Sequence, residues 1–236
     1  MKKLITLLFV VISTASYSQS SVKLNIFEKI FNKFKPTEEI KHKPSESEIE
    51  SYYEEITGYW EGGEKKTPSK YKKDVKIFVA GEINDSLKYE LDRIIVELNE
   101  LIETVEIGIT TEIDSSNLYL YLGTFDDFIN SLDEPDYMKE WRRQWEDDNT
   151  QGVFWTRSMG SSIMYSKTII KIHQKAMKNS LQLQKHVLRE EITQSLGFPN
   201  DTYEYENSIF YERNNNVTEY SDLDREIIKR HYLSQK

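Results

Sequence analysis

Two short apolar runs, VKIFVAG (Val75 to Gly81) and NLYLYLG (Asn117 to Gly123), flank a long amphipathic stretch, and this arrangement constrains the fold more than anything else in the chain. Each run is rich in β-branched and aromatic residues and ends in glycine, the pattern of a buried strand. Between them Leu91, Ile94, Ile95, Leu98, Leu101 and Ile102 keep helical spacing, with Asn84 or Asp85 placed to cap the helix. A strand, a long helix and a second strand predict an α/β sheet with a helix crossing beneath it.

The elements that follow extend this plan. TFDDFINSL reads as a short helix capped by Thr124, and GVFWT and SIMYSKTIIKI as two further strands joined by RSMGS. Between these lies a polar insertion, EPDYMKEWRRQWEDDNTQG, with Trp141 and Trp145 at helical spacing. Ser180 opens a helix through Leu188, Ile192 and Leu196 that stops at Gly197, a left-handed C-terminal cap position. Ser221 and Asp224 form the capping pair of a last helix, SDLDREIIKRHYL. The fold class is therefore α/β (α+β): a mixed sheet with a long backing helix, a signature helix and a C-terminal helix.

Residues 1–18 have the layout of a secretory signal peptide, Lys2 and Lys3 preceding an apolar run that is too short to span a bilayer. Cleavage near Ser18/Gln19 predicts a secreted or periplasmic protein with no membrane span in its mature form. No cysteine follows the apolar run, which excludes a lipid anchor on cysteine, a disulfide, a thiolate nucleophile and cysteine-bound zinc. Loss of Lys2 and Lys3 takes the formal net charge from −9 to −11 and argues against nucleic acid and anionic membranes as partners. Residues 19–73 read as a polar, partly disordered tether with one short helix near Glu46 to Ile56, leaving 74–236 as the domain.

REEITQSLGFPND, Arg189 to Asp201, carries the chemistry. Leu181, Leu188, Ile192 and Leu196 share one helical stripe, while His186, Glu190 and Gln194 lie on the other side with Glu191 beside them. Leu183 and Val187 share that polar side, which predicts a half-covered face where uncompensated carboxylates are costly. The turn after Gly197 lets Asn200 or Asp201 fold back toward Glu190 and Gln194. Such an oxygen-rich set suits calcium, magnesium or manganese better than zinc. Alternatively, Glu190 and Glu191 have divergent proton affinities and serve as acid and base. Structural pairing of the glutamates with Arg189, Arg213 or Lys185 fits the spacing equally well.

EExxQxLG, from Glu190 to Gly197, resembles the HExxHxxG helix of zincin-type metallopeptidases, the metzincins in particular. Glu190 and Gln194 then hold the two histidine positions and Glu191 that of the catalytic glutamate. NSIFY resembles the metzincin Met-turn segment, with Phe210 in place of methionine, and SDLDREIIKRHY resembles the matrixin closing helix that ends in a tyrosine, here Tyr232. The stretch from Val187 to Tyr232 resembles more closely a secreted bacterial family catalogued only as a domain of unknown function, number 2927. Glu190, Glu191, Thr193, Gln194, Leu196, Gly197, Asn200, Asp201, Ser208 and Phe210 carry that match.

The resemblance implies a zincin-like architecture with Glu191 and Glu190 as catalytic candidates and Glu190, Gln194, Asn200 and Asp201 as candidate metal ligands. Thr193, Phe210 and Tyr211 then line the cleft. Replacement of the histidines disfavours zinc and leaves an oxygen-ligated divalent cation as the cofactor to consider; without a metal, Glu191 loses most of its power as a base. His186 is the one histidine near enough to serve as a ligand, while His173, on a strand, and His231, in the last helix, read as structural.

Three functions compete. One is a metallopeptidase homologue without the zinc histidines that binds a peptide or a cell-envelope component. The second is a hydrolase using Glu190 and Glu191, with or without a cation. The third is carbohydrate binding, suggested by 15 tyrosines and by Trp141, Trp145 and Trp155.

Overall fold

The computed structural model describes residues 44–61, 64–66, 68–131, 150–213 and 217–233. The expected signal segment, the tether up to residue 43, Trp141 and Trp145, and Asn214 to Asn216 lie outside the described residues.

The compact unit begins at Pro44, inside the segment read as tether. Helix α1 (Glu46–Thr57) has a capping box from Ser45 and Glu48. Ile49, Tyr52 and Ile56, at one-turn spacing, are buried in the main core. Its charged outer face hid that narrow apolar stripe in the sequence. A small hairpin follows, β1 (Tyr59–Glu61) paired with β2 (Glu64–Lys66).

The main sheet has six strands. They are β3 (Lys70–Tyr71), β4 (Val75–Gly81), β5 (Ile107–Thr110), β6 (Leu118–Leu122), β7 (Gly152–Met159) and β8 (Ser162–Ile170). β5, β4, β6 and β8 lie side by side and parallel, and β3 adds in parallel to the start of β8. β7 runs antiparallel to β8 and pairs with no other strand among the described residues. β5 has no counterpart in the sequence reading, because its IGIT is too short and too exposed to stand out.

The backing helix α2 (Asp85–Leu101) is capped by Asn84, whose Oδ1 accepts from Leu87 N at 3.0 Å. It lays Leu87, Leu91, Ile94 and Leu98 against the sheet. On the same face lie α5 (Leu181–Ser195) and α6 (Asp222–Tyr232). The other face is covered by α3 (Phe125–Asn130), where Phe125 and Phe128 pack with Tyr119, Tyr121 and Val153. A single turn, α4 (Lys175–Lys178), precedes α5. His173 lies in the turn after β8 rather than on a strand, 3.3 Å from Glu82 Oε1. Among the described residues no helix is long and apolar enough to cross a membrane.

Arg189 of α5 is fully buried, and its guanidinium meets Glu90 at 2.8 Å and Glu97 at 2.7 Å, both on α2. Its planar group lies 4.6 Å from the centre of the Tyr220 ring. Removing one partner of a buried pair strands the other charge. Arg189→Met is therefore expected to destabilise the domain by about 3–5 kcal/mol in urea unfolding, and a second change, Glu90→Gln, to restore part of the loss.

Candidate functional site

α5 is buried almost all round, not along one stripe alone. His186, Arg189, Glu191, Thr193, Gln194 and Ser195 all lie below the surface, so each polar group needs a partner. The helix ends where Leu196 caps it and Gly197 turns with φ +118°. A Cβ at Gly197 would stand 2.1 Å from Ser69 O and 2.7 Å from His231 Nε2, so this position admits only glycine. His231 is itself held by Tyr53 and by Ser69 O, and burial lowers its pKa to about 4.

Four of the predicted site residues come together. Glu191, 7 % exposed, packs its carboxylate on the first residue of β7, where a Cβ on Gly152 would come within 2.4 Å of Glu191 Oε1. Burial, then the charges of Glu190 and Asp201, holds its carboxyl well above the usual carboxylate range. Gln194 Nε2 donates to Asp201 Oδ1 at 2.7 Å. The Asp201 carboxyl is pushed up to about 8 by burial, the charge of Glu190 and a hydrogen bond with Glu212, against which Gln194 acts. Glu190 sits at the partly exposed mouth, its Oε2 3.4 Å from His186 Nε2. His186, buried, is held through Nδ1 by Val217 O at 2.6 Å.

The other candidates lie elsewhere. Asn200 donates its side-chain amide to Glu55 O at 2.9 Å and to Gly58 O at 2.5 Å, capping the end of α1. Thr193 is not in the cleft: its hydroxyl donates to Arg189 O at 2.7 Å and meets Tyr220 OH at 2.8 Å behind the helix. Phe210 is fully buried against Phe198, so it too is core rather than cleft lining. Tyr211 is partly buried beside Glu212, its main chain bridged to Thr202. Behind this segment, Tyr52, Ser208 and Asp224 form a closed hydrogen-bonded group.

The sequence reading missed Gly152 and Glu212. Both reach the cluster only through tertiary folding, and neither carries a spacing signal. Of the cations weighed as structural partners for the glutamates of α5, Arg189 and Lys185 turn to Glu90 of α2 and Arg213 lies over the Tyr203 ring.

β7 contributes a second feature. Gln151 O accepts from Lys171 N, and the register sets Val153, Trp155 and Arg157 opposite Ile169, Lys167 and Tyr165. In antiparallel pairing the bonded positions alternate, so Gly152, Phe154 and Thr156 direct their N–H and C=O groups toward the far edge, which among the described residues no strand pairs. Val153 packs with the aromatic cluster across the sheet, which turns the Gly152 and Phe154 positions toward α5.

The residues do not fit zinc. Of the positions that resemble its ligands, Gln194 is tied to Asp201 and Asn200 to the end of α1. Among the described residues no group of three or more His, Cys, Asp or Glu side chains is placed to hold a metal ion. What the arrangement offers is a set of neighbouring carboxylates, with raised proton affinity at Glu191 and Asp201, at the end of a strand edge unpaired among the described residues.

Residues 46–235 match the profile of a family described as "Protein of unknown function (DUF2927)". No curated protein matches the chain.

The raised pKa of Asp201 fixes a sign. The folded protein keeps the proton from the unfolded carboxyl range near pH ~4 up to about 8, so this group's contribution to stability is full below that range and is lost as pH rises. Asp201→Asn is expected to match wild type in Tm at pH ~4 and to exceed it increasingly toward pH ~8, by about 3 °C or more, in thermal scans across that range.

Proposed function

The chain belongs to the DUF2927 family, and from that membership and the geometry of α5 and β7 we propose that it is an exported, zincin-like binding module that takes an extended peptide along β7. The observation that carries the reading is the open edge of β7, ending at Gly152 directly beneath Glu191. An unpaired edge presents N–H and C=O groups at strand spacing, which is what a peptide needs in order to add as another strand. The zincin-like part of the reading draws support from the order of elements. Parallel strands with a long backing helix are followed by an antiparallel edge strand, and the signature helix comes immediately after β8 and α4.

Binding without zinc hydrolysis follows from the donor set. Glu191 stands where a peptidase would hold its base, yet burial and the charges of Glu190 and Asp201 raise its proton affinity and so favour the protonated form, which does not abstract a proton from water. The proposed export rests on the charged and apolar layout of residues 1–18, and N-terminal sequencing of the secreted protein tests it, a start near Gln19 being the expected result.

One observation favours a second reading. A buried protonated carboxyl beside an ionisable neighbour is also the equipment of a general acid, so a metal-free hydrolase using Glu191 and Glu190 stands behind the binding module. Mass spectrometry of a degenerate peptide pool held with the protein separates the two. Retention of intact peptides supports the module, and cleavage that Glu191→Gln abolishes supports the hydrolase.

Thr156→Pro removes one outward N–H without touching the ladder to β8. It is expected to weaken peptide binding about tenfold, as read by fluorescence anisotropy, with Tm within ~2–4 °C of wild type. Unchanged binding would remove β7 from the account.

A further inference from the structure

Among the described residues, the carboxylates at the end of β7 lack a lysine or arginine counter-charge. Glu190, Glu191, Asp201 and Glu212 act on one another, yet among the described residues no Lys or Arg pairs with any of them. The cations of α5 are committed inward: Arg189 to Glu90 and Glu97, Lys185 to Glu90 at 3.8 Å. Arg213, next in the chain to Glu212, lies over the Tyr203 ring.

Two buried polar atoms beside the cluster also lack hydrogen bonds. Glu191 Oε2 is one, on a side chain whose carboxylate feels both Glu190 and Asp201. His186 Nε2 is the other, on a residue 1 % exposed, facing Glu190 Oε2 at 3.4 Å without a bond. Leaving a buried polar atom unpaired is costly, so both mark a place where a hydrogen-bond donor is missing.

Gly152 sets the direction of approach. Its main chain faces that edge, and in place of a side chain of its own the Glu191 carboxylate packs against it, next to whatever residue pairs opposite. That residue's side chain falls on the α5 face of the sheet, toward the cluster. A guanidinium or ammonium there would supply charge and several N–H donors at once, and its donors spread widely enough for carboxylates that do not converge on a metal.

We propose that Glu190, Glu191, Asp201 and Glu212 form a specificity pocket for the basic side chain, arginine or lysine, of the extended peptide that pairs with β7. This deepens the peptide-binding reading and rests on it. The raised proton affinity of Asp201 adds a signature. Binding of a cation ionises the carboxyl, so the complex releases a proton near pH ~7.

The test uses the purified full chain and three degenerate heptapeptide pools that differ only in a fixed central residue: arginine, its neutral isostere citrulline, or glutamate. The arginine pool is expected to bind about tenfold tighter than the citrulline pool, with the glutamate pool weakest. Calorimetry in buffers of different ionisation enthalpy is expected to show proton release with the arginine pool alone. A double change, Asp201→Asn with Glu212→Gln, is expected to bring the arginine-to-citrulline ratio below about two. Equal binding of the arginine and citrulline pools would overturn the pocket and leave the peptide reading standing, whereas no binding of any pool would overturn both. Stoichiometric binding of calcium or manganese that abolishes the arginine preference would reassign the pocket to a metal.

Discussion

The buried ion pair between Arg189 on α5 and Glu90 on α2 sets the rest of the site. Successive residues of a helix are rotated by about 100°, so once Arg189 is turned inward to α2 the directions of Glu190 and Glu191 are fixed. Glu190 comes to the mouth and Glu191 to the start of β7. An isolated charge at Arg189's depth would be prohibitive, and pairing with both Glu90 and Glu97 is what permits it. One inward charge therefore orients two outward ones, and the helix cannot rotate without breaking the pair.

The carboxylate cluster is held in place at a cost. Four acidic groups around one helix end repel when ionised, and burial of Glu191 adds desolvation. Burial and the neighbouring charges raise the proton affinity of Glu191 and Asp201, and among the described residues no lysine pairs with them. A structural cluster would more simply be neutralised by a neighbouring cation, as happens at Arg93, which lies 3.3 Å from both Glu90 and Glu97. The same surface contains both solutions a few turns apart, and the unneutralised one sits beside the unpaired strand.

Much of this architecture was legible in the residues. Strong periodicity placed α2, β4, β6, β8, α5 and α6, and cap chemistry at Asn84, Thr124, Ser180 and Ser221 placed their ends. β5 escaped because it is short and largely uncovered, whereas α1 was read as a helix near Glu46 to Ile56 but placed in the tether, because its charged face hides the apolar stripe that docks it. Of the candidate site residues, Glu190, Glu191, Gln194 and Asp201 come together, since three lie on one helical side and the fourth after a tight turn. Asn200 and Thr193 were misplaced for a shared reason: a motif gives positions along the chain, whereas their partners, Glu55 O and Tyr220 OH, come from elements far away in sequence. Gly152 could not be found at all, because its importance is the absence of a side chain where Glu191 lies.

Asn200 and Asp201 are neighbours with different duties: one holds the end of α1, the other sits among the carboxylates. α1 is also the first element of the compact unit, anchored at its middle by Tyr52 to Ser208 and Asp224. Any load entering the domain at Pro44 runs down α1 and reaches the cleft after a single peptide bond. The end of α1 and the carboxylate cluster thus share one turn of chain, and a change that loosens Asn200 from Glu55 O is passed to Asp201 through the backbone they have in common.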